Sequence, residues 1–164
     1  MQDAPFALRK SGKCDRIDIP PKNLNGLPGV EIKKFQLLLR DPDAKSTSPS
    51  IRDTDALELL LDEGRNVVFG SLVAWLDGDE DGVIDVVLGK NGQPMYSAAG
   101  HAIMIVGYDR SPAAKKPYFI VKNSWGEKYG HNGYLWLSYD YIKTYARYGY
   151  VTLEIQANNV ADIP

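Results

Sequence analysis

The sequence has little thiol and little imidazole: one cysteine and two histidines in 164 residues. A single cysteine excludes an internal disulfide. No apolar run approaches the roughly 18–20 residues that a membrane-spanning helix needs, and the first ten residues lack the layout of a signal peptide. The formal net charge of −2 gives no reason to expect nucleic acid or a membrane as a partner. These absences leave the compartment open.

The composition is that of a globular protein, with 44% apolar and 24% charged residues. The length fits one domain, or one large part of a two-lobed enzyme. Proline and glycine punctuate the first 30 residues, notably at Pro20-Pro21 and in Asn25-Gly26-Leu27-Pro28-Gly29. The sequence therefore predicts an irregular segment over residues 1–30 and one folded unit over 31–164.

Apolar spacing predicts one main helix and several mostly antiparallel strands, which is an α+β fold. The helix begins after a cap at Asp53, Thr54 or Asp55 and ends at Gly64, with Glu58 placed to complete a capping box with Asp55. Residues 31–40 fit a strand or a helix. The predicted strands are 67–76, 101–109, 117–123, 133–138 and 151–155, with a turn at 130–133.

His101 opens the strand-like run 101–109, and Asn123 closes the run 117–123. A histidine can accept and return a proton near neutral pH, provided that its tautomer and ring orientation are fixed. An amide oxygen that accepts from one ring N–H supplies that constraint. The pair can therefore be a catalytic base with its orienting amide, or a structural histidine at a strand end with a turn asparagine.

Three ordered motifs extend this pair: Gly-His-Ala-Ile-x-Ile-Val-Gly-Tyr from residue 100, Tyr-Phe-Ile-Val-Lys-Asn-Ser-Trp-Gly from 118, and Gly-x-Asn-Gly-Tyr from 130. In this order they resemble the C-terminal half of papain-like cysteine peptidases. The resemblance implies a mostly antiparallel, β-barrel-like sheet with one main helix, the right-hand lobe of that fold, over residues 31–164. It implies that His101 is the base, Asn123 its orienter and Trp125 a shield for their hydrogen bond, with Gly126 in a tight turn. It also places Ser97, Ala98, Ala99 and Gly100 along the substrate cleft.

The nucleophile expected from this resemblance is not evident. Family members carry a glutamine and a cysteine in their N-terminal half, and neither context occurs here. Cys14 is the only thiol, and the residues after it alternate as in a strand rather than opening a helix. Ser97 lacks a nucleophile-elbow motif. The resemblance therefore predicts that an N-terminal lobe supplies the thiol, that this chain alone is inactive, and that the substrate is a peptide or protein. The alternative is a non-catalytic papain-like protein that binds a partner.

Residues 77–85 match the first nine positions of an EF-hand calcium loop, with Asp77, Asp79, Asp81 and Asp85 as candidate ligands. However, Leu88 occupies the twelfth position, where a glutamate is expected, and no helix clearly flanks the loop. Two interpretations stay open: a calcium site, which would make the chain a calcium-dependent binding module, and a metal-free acidic loop. No other cofactor is expected.

Aromatic residues are dense in the last third of the chain. They form the buried core or, alternatively, a platform for carbohydrate or peptide. The set comprises Tyr134, Trp136, Tyr139, Tyr141, Tyr145, Tyr148 and Tyr150.

Overall fold

The structure, a computed structural model, describes residues 30–74, 82–97 and 99–157. In these ranges one sheet of seven strands runs in the order β1-β7-β2-β4-β5-β6-β3, and there are two helices. The strands are β1 (Val30–Leu39), β2 (Val67–Leu72), β3 (Val83–Ile84), β4 (Gly100–Asp109), β5 (Tyr118–Lys122), β6 (Tyr134–Ser138) and β7 (Ala146–Ala157), and the helices are α1 (Thr54–Asp62) and α2 (Tyr139–Tyr145). Neither described helix has the length and apolar character needed to cross a bilayer.

The chain divides into two compact units. One unit is Leu37–Val151, which contains His101 and Asn123. The other combines Met1–Gln36 with Thr152–Pro164, of which residues 30–36 and 152–157 are described. The predicted boundary at residue 30 stays a prediction, because residues 1–29 lie outside the described ranges.

A row of apolar side chains crosses the centre of the sheet. Val67 is paired with Ile105, Ile105 with Val121, and Val121 with Leu135, and all four are buried. Full burial of such a side chain contributes about 1.5–3 kcal/mol, so this row fixes the register of β2, β4, β5 and β6. These four strands are joined by antiparallel pairings, and β3 is paired in parallel with β6.

The α+β class with a mostly antiparallel sheet is confirmed, with two differences in detail. In the described ranges the sheet is open, with β1 and β3 at its edges, rather than closed as a barrel. A second helix, the seven-residue α2, follows β6, whereas the sequence predicted one main helix. The Ser138 side chain caps it by accepting from the Tyr141 N–H.

The ambiguous segment 31–40 is part of a strand, β1. The strand predicted over 67–76 ends earlier, at Leu72. Its register with β7 shifts between Gly70 and Ser71, a β-bulge that bends the strand. Beyond the end of β2, Val73 bonds instead to the segment before His101: its N–H donates to Ala99 O and its C=O accepts from Ser97 N–H.

The predicted capping box of α1 is wrong, because the helix begins two residues earlier than a box between Asp55 and Glu58 requires. Asp53 is the cap, and its side chain accepts from the Ala56 N–H at 3.1 Å. Glu58 instead points into the core and is only 6% exposed. Its carboxylate accepts a 2.6 Å bond from Tyr139 OH and pairs with Arg110 Nη1 at 2.9 Å. The predicted end at Gly64 is confirmed, where φ is +75°.

The core interpretation of the aromatic set is confirmed for the three tyrosines of α2. Tyr139, Tyr141 and Tyr145 are all buried. Burial, followed by the bond to Glu58, raises the pKa of Tyr139 well above its usual range. The buried bond between Glu58 and Tyr139 therefore joins α1 to the start of α2.

Replacing Tyr139 by phenylalanine should lower the free energy of unfolding by about 1–3 kcal/mol, because a buried carboxylate loses a hydrogen-bond donor. The matched control is Tyr108→Phe, which removes a hydroxyl bonded to Asp62 at the surface. We expect a much smaller change from the control. Urea denaturation measures both, and equal losses in the two variants would contradict a special role for the buried bond.

Candidate active site

His101 lies near the start of β4, opposite Ser71 of β2. The pairing of β4 with β5 ends at Met104 and Lys122, so β4 extends past the end of β5. The loop that begins at Asn123 therefore runs beside the first residues of β4. This overhang brings together two side chains that are 22 positions apart in the sequence.

The Nε2 atom of His101 lies 2.9 Å from Oδ1 of Asn123, so the predicted contact is present. The same oxygen accepts from the Ser124 N–H at 2.8 Å, which identifies this end of the amide as the oxygen. Asn123 is 7% exposed, and its own N–H donates to Gly133 O at 2.9 Å. Its Nδ2 is buried without a hydrogen-bond partner among the described residues, so the oxygen and the backbone hold the side chain.

This arrangement selects one tautomer of the histidine. An amide oxygen can only accept, so Nε2 must carry the proton that it donates to Asn123. In the neutral ring, Nδ1 is then the basic nitrogen. The geometry therefore provides a ring of fixed orientation whose Nδ1 can take up and return a proton.

Trp125 lies against the imidazole of His101, with ring centroids 4.7 Å apart and planes inclined by 31°. Tyr129 contacts Trp125 edge-on, also at 4.7 Å. The indole is 47% exposed, so it forms part of the surface around the histidine. Tyr129 occupies the position at which many papain-like peptidases resemble each other in having a second tryptophan, so an aromatic ring is kept there.

The predicted turn at residues 130–133 is confirmed as a two-residue hairpin turn. His131 and Tyr134 exchange both backbone bonds, at 2.8 and 3.1 Å, across Asn132 and Gly133. Asn132 has φ +54°, which suits a type I′ turn. Since Gly133 O accepts from the Asn123 N–H, this turn helps to fix the position of Asn123.

Of the predicted cleft residues, Gly100 is the first residue of β4, and Ser97 and Ala99 lie in the loop before it. Ser97, Ala99 and Gly100 are exposed, and Ala98 lies outside the described residues. The Ser97 hydroxyl accepts from the Ala99 N–H at 3.3 Å, within its own loop. The segment is tied to Val73 by two backbone bonds, so it forms an ordered, accessible approach to the histidine.

Of the four predicted calcium ligands, only Asp85 lies within the described residues. Asp77, Asp79 and Asp81 lie outside the described residues, as does Cys14. Asp85 accepts from Ser138 Oγ at 2.7 Å, from Val86 N–H at 2.7 Å and from Lys116 Nζ at 3.1 Å. Within the described ranges, no three potential ligand side chains cluster as a metal site. Calcium binding stays a prediction.

Burial alone would raise the pKa of Asp85, but hydrogen bonds from Ser138, Val86 and Lys116, together with the lysine charge, outweigh it and lower the pKa below its usual 3.8. A depressed folded-state pKa contributes stability above the unfolded pKa, which is lost as pH falls through the folded value. Asp85→Asn should therefore destabilise the protein at neutral pH, and the difference should shrink below about pH 4.

Urea denaturation of wild type and Asp85→Asn between neutral and acidic pH measures this difference. Lys116→Gln is the matched control, since removing the ammonium should weaken the pH dependence that Asp85 confers. A stability difference that stays constant across the range would contradict a role for the carboxylate charge.

Gly130 is confined both by its backbone angle and by its neighbours. Its φ is +60°, and a Cβ built there would overlap the carbonyl oxygen of Tyr134. Gly126 also has positive φ, +91°, but a Cβ there meets nothing within 4 Å. Gly126→Ala should lower the free energy of unfolding by about 1–2 kcal/mol through backbone strain. Gly130→Ala should lower it by more, because the added Cβ also overlaps the Tyr134 carbonyl oxygen. Urea denaturation of the two variants checks this order; equal costs would contradict it.

Comparison with known protein families finds a match in the part of the chain that contains His101 and Asn123. The model of the papain family cysteine proteases matches residues 80–155. Cysteine proteinase A of Leishmania mexicana is 50% identical over 38 residues, which is 23% of this chain and 10% of the relative. Cathepsin F of Mus musculus is 26% identical over 150 residues, 76% of this chain and 30% of the relative. The chain thus matches only a minor part of the length of these relatives.

Solved structures agree with the sequence match. Xylellain, a cysteine protease from Xylella fastidiosa, has a TM-score of 0.52 at 26% identity. The match covers 79% of this chain and 41% of the xylellain chain. The clostridial cysteine protease Cwp84 has a TM-score of 0.54 at 18% identity, covering 90% and 35%, and shows the fold alone. By sequence and by fold, the part of the chain that bears His101 and Asn123 is papain-like, which confirms the resemblance to the papain family of cysteine peptidases.

Proposed function

We propose that this chain supplies the base and the orienting amide of a papain-like cysteine peptidase, and that a segment outside the 164-residue sequence supplies the attacking thiol. The observation that carries the proposal is the 2.9 Å contact between His101 Nε2 and Asn123 Oδ1, within a segment of papain-family sequence. A structural histidine at a strand end does not need a buried amide that fixes its tautomer.

The first step is a proton transfer that activates the thiol. His101 takes the thiol proton on Nδ1, giving a thiolate and an imidazolium that form an ion pair. Throughout the transfer, the bond from Nε2–H to Asn123 keeps the ring in one orientation. Because the Asn123 oxygen is neutral, it orients the ring without adding a charge of its own.

Peptide hydrolysis then follows in two stages. The thiolate sulfur forms a bond to the scissile carbonyl carbon; the C–N bond breaks, and the leaving nitrogen takes the proton from His101. The remaining thioester is attacked by water, whose proton passes to His101 as the C–O bond forms. When the C–S bond breaks, that proton returns to the sulfur, releasing a carboxylic acid and restoring the thiol.

In this proposal Trp125 shields the bond between His101 and Asn123, since a low local dielectric strengthens such bonds. Its ring packs on the imidazole at 4.7 Å, which supports that role. Residues 97–100 line the cleft for a substrate peptide in this proposal, because Ser97, Ala99 and Gly100 are exposed and directly precede His101. The partners are a peptide or protein substrate and an N-terminal lobe that bears the nucleophilic cysteine.

The source of the thiol decides between a catalytic chain and a binding protein. We infer that Cys14 is not the nucleophile, because no helix-opening sequence follows it. The 164-residue chain alone should therefore not hydrolyse peptides. Combined with a papain-like N-terminal lobe that bears the nucleophilic cysteine, it should hydrolyse a fluorogenic peptide under reducing conditions, and an alkylating epoxide should abolish the activity.

Variants of the two-part protein test the separate roles. His101→Ala should lower kcat/KM by at least about 1,000-fold, because the members of such a unit act together. Asn123→Ala should lower it by about 100-fold, the size of effect expected from a misplaced ring. Asn91→Ala is the matched amide control: it is exposed in a turn outside the site and should leave the activity unchanged.

Two outcomes would overturn parts of the proposal. Cleavage by the 164-residue chain alone, lost in Cys14→Ala, would place the thiol inside this sequence. A two-part protein that is folded by circular dichroism but inert toward peptides would replace the peptidase with a non-catalytic binding protein.

A further inference from the structure

A second concave site lies in the unit Leu37–Val151, and it is strongly basic. Its volume is about 630 Å³, within the range of pockets that hold small molecules. Four cationic side chains line it: Arg40, Arg52, Lys143 and Arg147. They come from the end of β1, the segment before α1, the last turn of α2 and the start of β7, so the fold assembles the pocket from distant parts of the sequence.

These charges are only partly neutralised by the protein. Asp41 binds Arg52 Nη1 at 2.9 Å and lies 3.2 Å from Arg40 Nε, the latter without hydrogen-bond geometry. In the part of the chain that the structure describes, neither Lys143 nor Arg147 is in an ion pair. One carboxylate thus faces four cations, which leaves an excess of three positive charges.

A generally basic surface does not account for this excess, because the protein carries a net charge of −2. Lys143 alone has a local explanation, since a cation in the last turn of a helix is stabilised by the helix dipole. That effect does not extend to the arginines. Like charges gathered in one concavity repel each other, and a bound anion removes the repulsion.

The wall of the pocket is held in place without a ligand. Tyr145 donates from its hydroxyl to Met95 O at 2.8 Å and contacts the ring of Tyr96 edge-on, with centroids 6.4 Å apart. Tyr96 and Thr144 add polar and aromatic groups to the lining. A preformed site of this kind loses little conformational freedom on binding.

We propose that this basic pocket binds a small oxyanion of two or more negative charges, carried by phosphoryl or carboxylate groups. Guanidinium groups offer paired N–H donors that match both kinds of oxygen, and three of the four cations are arginines. The cavity is sized for a small molecule rather than a polymer.

Isothermal titration calorimetry of the 164-residue chain tests this site, with pyrophosphate in one arm and citrate in the other. Sodium chloride at about 0.1 M screens weak surface attraction. We expect saturable 1:1 binding in at least one arm, and the tighter arm identifies the phosphoryl or the carboxylate source. Lys143→Gln and Arg147→Gln should each weaken binding about tenfold, the loss of one charge-assisted bond.

The two substitutions break no ion pair of the described residues, so they should preserve the fold, which thermal unfolding checks. Lys115→Gln is the matched control, because it removes the same charge from an exposed loop outside the pocket and should not change the affinity. The proposal would be overturned if neither anion gave saturable heat at concentrations up to about 10 mM, because any remaining affinity would then be only millimolar. Equal weakening by Lys115→Gln would also overturn it, because binding would then reflect overall charge.

Discussion

The register of β4 against β5 is the constraint on which the candidate active site depends. Side chains alternate between the two faces of a strand, so a slip of one residue would turn the buried row of Ile105 and Val121 to the other face. The same slip would move His101 away from Asn123. Burial of this apolar row therefore fixes the position of a polar pair several residues away, and the stability of the sheet and the geometry of the site have one origin.

The tyrosines of α2 extend this constraint to the residues before His101. Tyr141 donates to Leu72 O at 2.9 Å and accepts from Ala74 N–H at 3.3 Å, and burial raises its pKa to about 12. It thereby holds the end of β2, whose next residue, Val73, bonds to the exposed residues Ser97 and Ala99. Tyr145 holds the same connection further back, at Met95. A short helix thus supports the approach to His101 through hydroxyl groups, although it contains none of the predicted site residues.

The sequence predicted the features that depend on local patterns. The strands next to His101 and Asn123 are clear apolar runs, and the turn at 130–133 has its own glycine and asparagine signal. Tertiary packing decided the rest. Glu58 has the spacing of a capping residue, yet it is buried against Tyr139, because the helix begins at Asp53. The basic pocket had no sequence signal, since its cations are scattered between residues 40 and 147 and are brought together only by the sheet.

The Asn123 side chain is uncharged, and this affects which group can balance the charge on His101 in the proposed mechanism. A carboxylate beside His101 would attract a positive charge to the ring at all times. The Asn123 oxygen fixes the tautomer without a formal charge, so in the proposed mechanism the counter-charge for the imidazolium must come from the thiolate on the Nδ1 side. In the proposed mechanism this chain thus contributes a positioned base, and the thiol that completes the acid–base pair comes from the other part of the protein.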